Sequence, residues 1–357
     1  MTVFCILFAD VSKGENPIII SDVLVTHDVR NLAHDLRYEK VYIPSSGGRF
    51  PELPGGKAIS GLIQKTYLGE NYALVFAGDL SSAHAFWSDM LKIKTLEEFL
   101  LTCQLYRSTL QFVAITTIDG ELNRVILCGS DDCTQFQPGD YGRVVIGGFG
   151  ESSIRDLLVQ QQALYFKGSE DLSSIGRALC LVSAALELDD SSPEKTLNKQ
   201  FGAYYEITLY ENGEFIKLER VLFSFWEITI VDDTLMWIPT KMFYHEYIDG
   251  MLIVRRITIP PYKEENSGIW QDCYGINSFE RRHSHDFLRT HISEFAPDPW
   301  IEVVNAKLYN RDFRFISSNP IIRFEKDGEK WKINPDFNEL KKHQEAASDA
   351  MEEMDKK

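Results

Sequence analysis

The sequence lacks the cysteine spacings of a zinc knuckle or a disulfide framework. Its six cysteines form no Cys-x-x-Cys pair and show no short even spacing. Long hydrophobic runs are missing as well. The opening run MTVFCILFAD has no basic residues ahead of it and reaches Asp10 quickly, so it is too short for a membrane span and unlike a signal peptide. These absences predict a reducing, cytoplasmic environment and no membrane partner.

A basic excess is also missing, because 37 Lys and Arg stand against 53 Asp and Glu, a net charge of −16. This balance disfavours nucleic acid or an anionic membrane as the main partner. Peptides, small molecules or other protein chains are the expected partners. At 357 residues and 44% hydrophobic, the chain is long enough for two domains with buried cores.

Strand and helix patterns alternate in the first two thirds of the chain. Residues 2–10 and 17–25 predict one hairpin, and LIQKTYL with YALVFAG predicts a second around Gly69 and Asn71. The polar, Gly/Pro-rich stretch between them, about 27–60, predicts a long loop. Two helices follow, SSAHAFWSDMLK and TLEEFLLTCQLYR, and the second opens on a capping box of Thr95 and Glu98.

The same order then repeats. QFVAITTI, NRVILCG and YGRVVIGGFG predict strands, and residues 151–166 and 172–188 predict helices. AYYEITLYENGEFIKLER closes the segment as a further strand pair. Strand hairpins followed by helix pairs, twice over, predict an α+β fold: a four-layer αββα sandwich of two antiparallel sheets covered by helices.

The sequence changes character after about residue 220, and three regions are predicted. Residues 1–220 form the αββα domain, and 221–336 form a β-rich accessory domain with aromatic strands such as RVLFSFWEITIV. Residues 337–357 are charged and nearly free of large apolar residues, which predicts a solvated helix or a disordered tail.

Thr2 is a candidate nucleophile because removal of Met1 would leave a hydroxyl and a free α-amine on one residue. The amine has a reference pKa of about 7.7 to 8.0, near the range in which a general base works well. A nearby lysine would depress that pKa, and an aspartate would hold the lysine charged and oriented. Asp22, on the second predicted strand, and Lys65, on the third, are the candidates.

Short motifs in this order resemble the proteasome β-subunits and HslV-type peptidases, a family of N-terminal-nucleophile (Ntn) hydrolases. The resemblance covers roughly residues 2–215, through Thr2, IIISDVLVT, LIQKTYL, LVFAGD and VVIGGFG. It implies that Thr2 is the nucleophile, Asp22 the strand-two aspartate and Lys65 the catalytic lysine. Gly78 resembles the glycine whose N–H forms the oxyanion hole. Phe76 occupies the place of a residue that shapes the substrate pocket.

The resemblance implies a threonine-type peptidase or amidohydrolase that acts on a peptide or amide, needs no cofactor and assembles into a homo-oligomeric ring. A separate ATPase or unfoldase would feed such a ring. The chain departs from the family pattern at Asp79, where a second glycine is usual, and at Gly147-Gly148-Phe149-Gly150, where the family serine is either absent or displaced to Ser152. Asn198 and Gly202 are the nearest matches to the late aspartate and glycine of the family.

Each of these residues also has a structural interpretation. Asp22 can end a strand, Lys65 can face solvent, and the glycines can serve tight turns alone. The long segment before Lys65 leaves Lys57 and Lys40 as alternative lysines. The alternative function is a catalytically inactive proteasome-like subunit with a structural or binding role.

A histidine-rich stretch, RRHSHDFLRTH, is a candidate metal site. His283 and His285 share a strand face in an extended chain and could bind zinc with Asp286 or Asp272. Their spacing matches no closed motif and arginines flank them. A polar surface loop is therefore the favoured interpretation, and no metal is predicted.

Overall fold

The structure is a computed structural model with an α+β fold of several sheets. It describes residues 2–10, 13–28, 42–47, 53–118, 123–127, 133–138, 141–161, 174–231, 234–259, 270–278, 301–308, 311–317, 321–327 and 330–355. No helix in these ranges is both long enough and apolar enough to cross a membrane.

Two compact units interleave along the chain. Unit 1 takes its described residues from Met1–Gln162, Ala184–Leu218 and Ile276–Arg281, and unit 2 takes the rest. The boundary falls inside one helix and again near one strand end, so the units are not simple consecutive segments. The sequence-based division at 220 and 336 stays a prediction.

Unit 1 contains a six-stranded sheet built around the N-terminal strand. The strands are β1 (Val3–Leu7), β2 (Ile18–Asp22), β9 (Thr134–Phe136), β10 (Val144–Gly148), β11 (Tyr205–Glu211) and β12 (Glu214–Lys217). Their order in the sheet is β12-β11-β2-β1-β10-β9. The predicted first hairpin is confirmed, because β1 and β2 pair antiparallel with Phe4 opposite Ser21.

A second sheet of unit 1 has the order β5-β6-β7-β8. Its strands are β5 (Thr66–Leu68), β6 (Tyr72–Gly78), β7 (Leu110–Thr116) and β8 (Asn123–Leu127). The predicted hairpin around Gly69 and Asn71 is therefore confirmed. The prediction of loop over 27–60 is wrong at its ends, because β3 (Leu24–Asp28) pairs antiparallel with β4 (Lys57–Leu62).

Four predicted helices are present: α1 (Leu80–Met90), α2 (Leu96–Tyr106), α3 (Glu151–Gln161) and α4 (Ser174–Ser191). The capping box of α2 is confirmed, since Glu98 N–H donates to Thr95 Oγ1 and the Glu98 carboxylate accepts from Thr95 N–H. Asp79 caps α1 by accepting from Ser82 N–H at 2.8 Å. The charge of Asp79 is thus committed to a helix N-terminus, where a carboxylate is stabilising.

Alternating residues of β6 pack against different partners. Val75 and Ala77 join a buried cluster with Phe4 and Ile6 of β1, which packs the two sheets against each other. Phe76, between them, points to the opposite face and joins a cluster with residues of α1 and α2. Helix α3 contacts β1 and β10. Side chains alternate along β6, so one face of this strand packs against the other sheet and the opposite face packs against the helices.

Unit 2 is a sheet with order β16-β15-β14-β13-β17-β18, a separate hairpin and a helix. Its elements are β13 (Val221–Val231), β14 (Thr234–Ile248), β15 (Met251–Thr258), β16 (Trp270–Ile276), β17 (Ile301–Leu308), β18 (Arg311–Ser317), the β19 (Ile322–Asp327) and β20 (Lys330–Pro335) hairpin, and α5 (Phe337–Asp355). The buried hydrophobic cluster of unit 2 includes Trp226 of β13, Trp237 of β14 and Leu340 of α5. Residues 337–355 thus form the helix that was one of the two predictions for this segment, and its residue Leu340 is buried.

Three glycines hold the N-terminal residues closely against the end of β10. A Cβ on Gly148 would lie 2.0 Å from the carbonyl oxygen of Thr2, one on Gly147 would lie 2.3 Å from the Phe4 ring, and one on Gly150 would lie 2.8 Å from the Val3 Cβ. Phe149 N–H also donates to the Thr2 carbonyl at 2.8 Å. The motif VVIGGFG therefore fits the backbone of residues 2–4 without side-chain clashes.

We expect Gly148→Ala to destabilise the protein more than Gly213→Ala. The two glycines have almost the same φ, +92° and +89°, but a Cβ on Gly213 would meet no atom within 4 Å. Gly213→Ala should therefore cost only the backbone term, about 1–2 kcal/mol, whereas Gly148→Ala adds a clash with backbone atoms. Urea unfolding of both variants measures the difference, and equal losses would show that the Thr2 contact is not tight.

Candidate active site

Asp22 lies at the end of β2, beside the first residues of β1, and its side chain is completely buried. Its Oδ1 accepts from the backbone N–H of Val3 at 3.0 Å, and its Oδ2 accepts from the N–H of Gly202 at 2.9 Å. Gly202 is the residue matched to the late family glycine in the sequence. The carboxylate thus joins the chain directly after Thr2 to the start of β11.

Lys65 forms a buried ion pair with Asp22. The Lys65 Nζ lies 2.9 Å from Asp22 Oδ1, with the two side chains 1% and 0% exposed. The same Nζ donates to the carbonyl oxygen of Leu24 at 2.5 Å. The structure therefore brings two of the predicted site residues into direct contact and orients the ammonium by a second acceptor.

Burial and pairing oppose one another in this ion pair. Burial lowers the pKa of the Lys65 ammonium, while the charges of Asp22 and Glu206 work against that decrease. Burial raises the pKa of the Asp22 carboxyl, while Lys65 and the N–H groups of Val3 and Gly202 work against that rise. Burial is the larger effect for both groups, and each partner's charge offsets part of the cost of burying the other.

Lys65 is not inside a strand, which corrects the sequence-based assignment. It lies in the break between β4 and β5, where Gln64 N–H donates to the Asn277 carbonyl at 3.1 Å. The N–H groups of Lys65 and Thr66 donate to Glu206 Oε1 at 2.6 and 2.7 Å. A carboxylate thus receives the N–H groups at the point where the chain passes from one strand to the next.

Glu206 was missed by the sequence interpretation. It lies on β11, is completely buried, and also forms an ion pair with Lys217 of β12. The available signal was a glutamate within the otherwise apolar stretch YEITLY, since an acidic residue in a buried strand requires partners.

Thr2 is 2% exposed and lies next to Val3, whose N–H binds Asp22. Gly78 ends β6 on the other sheet with φ +136°, a conformation that favours glycine. Phe76 is 1% exposed and stacks on Tyr67 with ring centroids 5.6 Å apart. That enclosed packing does not support a role for Phe76 in a substrate pocket. The pocket role of Phe76 and the oxyanion role of Gly78 stay predictions.

The remaining candidates lie elsewhere. Lys57 is on β4, opposite Asp28, and is only partly buried. Lys40 and the histidines 283, 285 and 291 lie outside the described residues. Within the described part of the chain, no group of three His, Cys, Asp or Glu residues could hold a metal ion. Cys133 is disulfide-bonded, a feature that the cysteine spacing had not suggested.

Asp189 of α4 is a second buried carboxyl near the pair. Burial raises its pKa to about 7, with the nearby hydroxyl groups of Thr196, Ser45 and Tyr205 opposing the rise and the charge of Asp22 adding to it. Tyr205 Oη donates to Asp189 Oδ1 at 3.3 Å. A Cβ on Gly202, which has φ +107°, would lie 2.6 Å from the same oxygen. Gly202 is thus confined between two carboxyl groups.

Comparison with known proteins gives little beyond this geometry. No model of a protein family matches the sequence, and no curated protein matches it. Among solved structures, the chain is similar to the crystal structure of eukaryotic HslV from Trypanosoma brucei, with 12% identity over 59% of this chain and 100% of that chain and a TM-score of 0.29. A match at this level carries no argument about function.

We expect Lys65→Met to be strongly destabilising and Lys92→Met to be nearly neutral. Lys92 also pairs with an aspartate at 2.9 Å, but its side chain is 71% exposed. Leaving Asp22 buried without its partner should cost about 3–5 kcal/mol, whereas an exposed pair contributes little. Urea unfolding compares the two variants. A Lys65→Met protein as stable as wild type would contradict the buried ion pair.

We also expect Asp189→Asn to change how stability depends on pH. The folded-state pKa of Asp189, about 7, is above its ordinary value of 3.8. Its contribution to stability is therefore present below the ordinary value and is lost as pH rises through the folded one. Asp189→Asn should gain stability relative to wild type between those values and keep that gain above pH 7.

Unfolding midpoints measured across that pH range test the effect. Asp190→Asn, one position further along α4, is the matched control for loss of a carboxyl from this helix. A constant difference between Asp189→Asn and wild type, or an equal pH-dependent gain in Asp190→Asn, would contradict the burial of a titrating Asp189.

Proposed function

We propose that this protein is an N-terminal-nucleophile hydrolase in which Thr2, freed by removal of Met1, attacks a peptide or amide. One observation carries the proposal. The buried Asp22 carboxylate binds both the N–H that follows Thr2, at 3.0 Å, and the Lys65 ammonium, at 2.9 Å. An aspartate and a lysine fixed beside the N-terminal residue are what a terminal threonine needs for control of its amine.

The packing of unit 1 supports a four-layer αββα sandwich as its finer architecture. The two sheets share a cluster that includes Phe4 and Val75, and residues of α1 and α2 pack on the opposite face of β6. Helix α3 contacts β1 and β10 of the other sheet. Two facing sheets with helices outside them are the arrangement proposed from the sequence.

The proposed reaction begins at the Thr2 amine, the general base. An α-amine has a reference pKa of about 7.7–8.0, and the Lys65 charge favours its neutral form. The amine takes the proton of the Thr2 hydroxyl as Oγ1 bonds to the substrate carbonyl carbon. Asp22 holds Lys65 in its charged form and in place during this step.

Collapse of the tetrahedral intermediate completes the first half. The negative charge on the substrate oxygen is stabilised by the Gly78 N–H, the proposed oxyanion donor. The carbon–nitrogen bond breaks as the Thr2 ammonium gives its proton to the leaving amine, which leaves an ester on Thr2. Water then attacks the ester, with the amine again taking the proton, and releases the acid.

The proposed assembly, location, substrate and partner of the protein follow from the family resemblance alone. These are a homo-oligomeric ring in the cytoplasm, a peptide or amide substrate and a separate ATPase or unfoldase, without a cofactor. The alternative is a catalytically inactive subunit of the same fold, in which Met1 stays on the chain and Thr2 has no free amine.

We expect the purified protein to have lost one methionine and to gain one stoichiometric adduct with a peptide epoxyketone. This reagent requires both the hydroxyl and the free amine of a terminal threonine. Thr2→Ser should still react, because it keeps both groups, and Thr2→Ala should not. Intact-mass spectrometry before and after incubation measures these changes.

The lysine variants assign the residue that controls the amine. Lys65→Ala should lose the adduct under conditions in which circular dichroism shows that this destabilised variant is still folded, and Lys57→Ala, the matched control on β4, should react like wild type. A retained methionine without an adduct would reject the proposed hydrolase and favour the inactive subunit. Loss of reaction in Lys57→Ala alone would reassign the lysine.

A further inference from the structure

Glu206 lies opposite Ser21 in the pairing of β11 with β2. Ser21 is the residue before Asp22 on β2, so Glu206 lies close to Asp22 along the sheet. The side chain of Glu206 is completely buried. Isolated carboxylates are costly to bury, so the partners of Glu206 indicate what its charge stabilises.

One oxygen of Glu206 receives several donors from the segment that carries Lys65. Oε1 accepts from Lys65 N–H at 2.6 Å, from Thr66 N–H at 2.7 Å and from Ser21 Oγ at 2.8 Å. Ser21 Oγ and Thr66 Oγ1 are themselves 2.9 Å apart. The two N–H groups belong to consecutive residues at the break before β5, so a single carboxylate oxygen fixes the backbone there.

The other oxygen of Glu206 is paired with Lys217. Lys217 Nζ contacts Oε2 and also donates to the Thr66 carbonyl at 2.9 Å. The Thr66 backbone is therefore held at its N–H by Glu206 and at its carbonyl by Lys217. This leaves little freedom for the adjacent Lys65, whose side chain spans from this anchor to Asp22.

We propose that Glu206 is a positioning residue for Lys65: it fixes the Lys65 backbone so that the ammonium reaches Asp22, and it places a second negative charge near that ammonium. The effect of Glu206 on catalysis rests on the proposed function, whereas its effect on the position and charge of Lys65 does not. Glu206 acts through Lys65.

The charges around Lys65 come from several elements. Asp22 faces it from β2 and Glu206 from β11, Lys217 from β12 balances Glu206, and Asp189 from α4 interacts with Asp22. The negative charge of Glu206 works against the effect of burial on the pKa of Lys65. Removing that charge should make Lys65 lose its proton at lower pH, and with it the charge that lowers the pKa of the Thr2 amine.

The test uses Glu206→Gln in the full chain, with Glu211→Gln, at the exposed end of β11, as the matched control. The glutamine oxygen can still accept the N–H groups, but it has no charge. The alkaline limb of the rate of epoxyketone adduct formation should move to lower pH, on the order of one pH unit, in Glu206→Gln alone. An unchanged limb would overturn the electrostatic role.

A direct measurement separates this inference from the proposed hydrolase. NMR titration of the Lys65 side chain follows its protonation without any reaction. Lysine is labelled at Cε, and the Lys65 resonance is assigned by its absence from the spectrum of Lys65→Met. A downward shift in Glu206→Gln supports the positioning role even if Thr2 never reacts. An unshifted Lys65 titration overturns it even if Thr2 reacts normally.

Glu206→Asp tests the inference if Glu206→Gln does not fold. It preserves the charge but shortens the side chain by one methylene, so the acceptor no longer reaches both N–H groups at their present distances. Slower adduct formation with the alkaline limb in place is the expected result. A wild-type rate in Glu206→Asp would overturn the positional part of the inference.

Discussion

The buried ion pair of Asp22 and Lys65 is the interaction on which the organisation of unit 1 around the N-terminus depends. It has no access to solvent, so each charge is stable only while the other is in place. Asp22 also receives the N–H groups of Val3, on β1, and of Gly202, just before β11, and these two strands lie on either side of β2 in the sheet. A single carboxylate therefore connects β1, β11 and the segment before β5. Disruption of the pair would affect the fold and the candidate site together.

Close backbone packing completes this arrangement. Gly147 and Gly148 at the end of β10, and Gly150 after it, let the chain lie close to residues 2–4. Gly202 fits between Asp22 and Asp189, where any side chain would clash. Glu206 and Lys217 hold the segment that carries Lys65. Charges that oppose one another across the site, two carboxylates against two ammonium groups, allow this density of ionic groups in a protein interior. Such networks position their members closely, which is a requirement for a catalytic amine and its neighbours.

Local patterns in the sequence predicted the local structure well. The capping box of Thr95 and Glu98, the hairpin around Gly69 and Asn71 and the β1–β2 hairpin each depend on residues close in sequence. The family-like order of Asp22 and Lys65 also predicted two residues that the structure brings into contact. By contrast, the contact of Glu206 with Lys65 joins residues 141 positions apart, and the parallel pairing of β13 with β17 places Val221 opposite Ile301. The sequence does not identify the partner in either case, since both contacts follow from tertiary packing, and the glutamate within YEITLY indicates only that Glu206 requires partners. The break at Lys65 was missed for the same reason: its N–H is satisfied by a carboxylate and not by a neighbouring strand.

The most direct test of the central claim is a crystal structure of the processed protein after reaction with a peptide epoxyketone. The account predicts that Thr2 is the first residue, that its Oγ1 and its nitrogen are both bonded to the reagent, and that Lys65 Nζ remains paired with Asp22 beside it. A chain that still begins with Met1, or a reagent bound away from Thr2 with the Asp22–Lys65 pair unrelated to it, would contradict the assignment of this site as a threonine-type active centre.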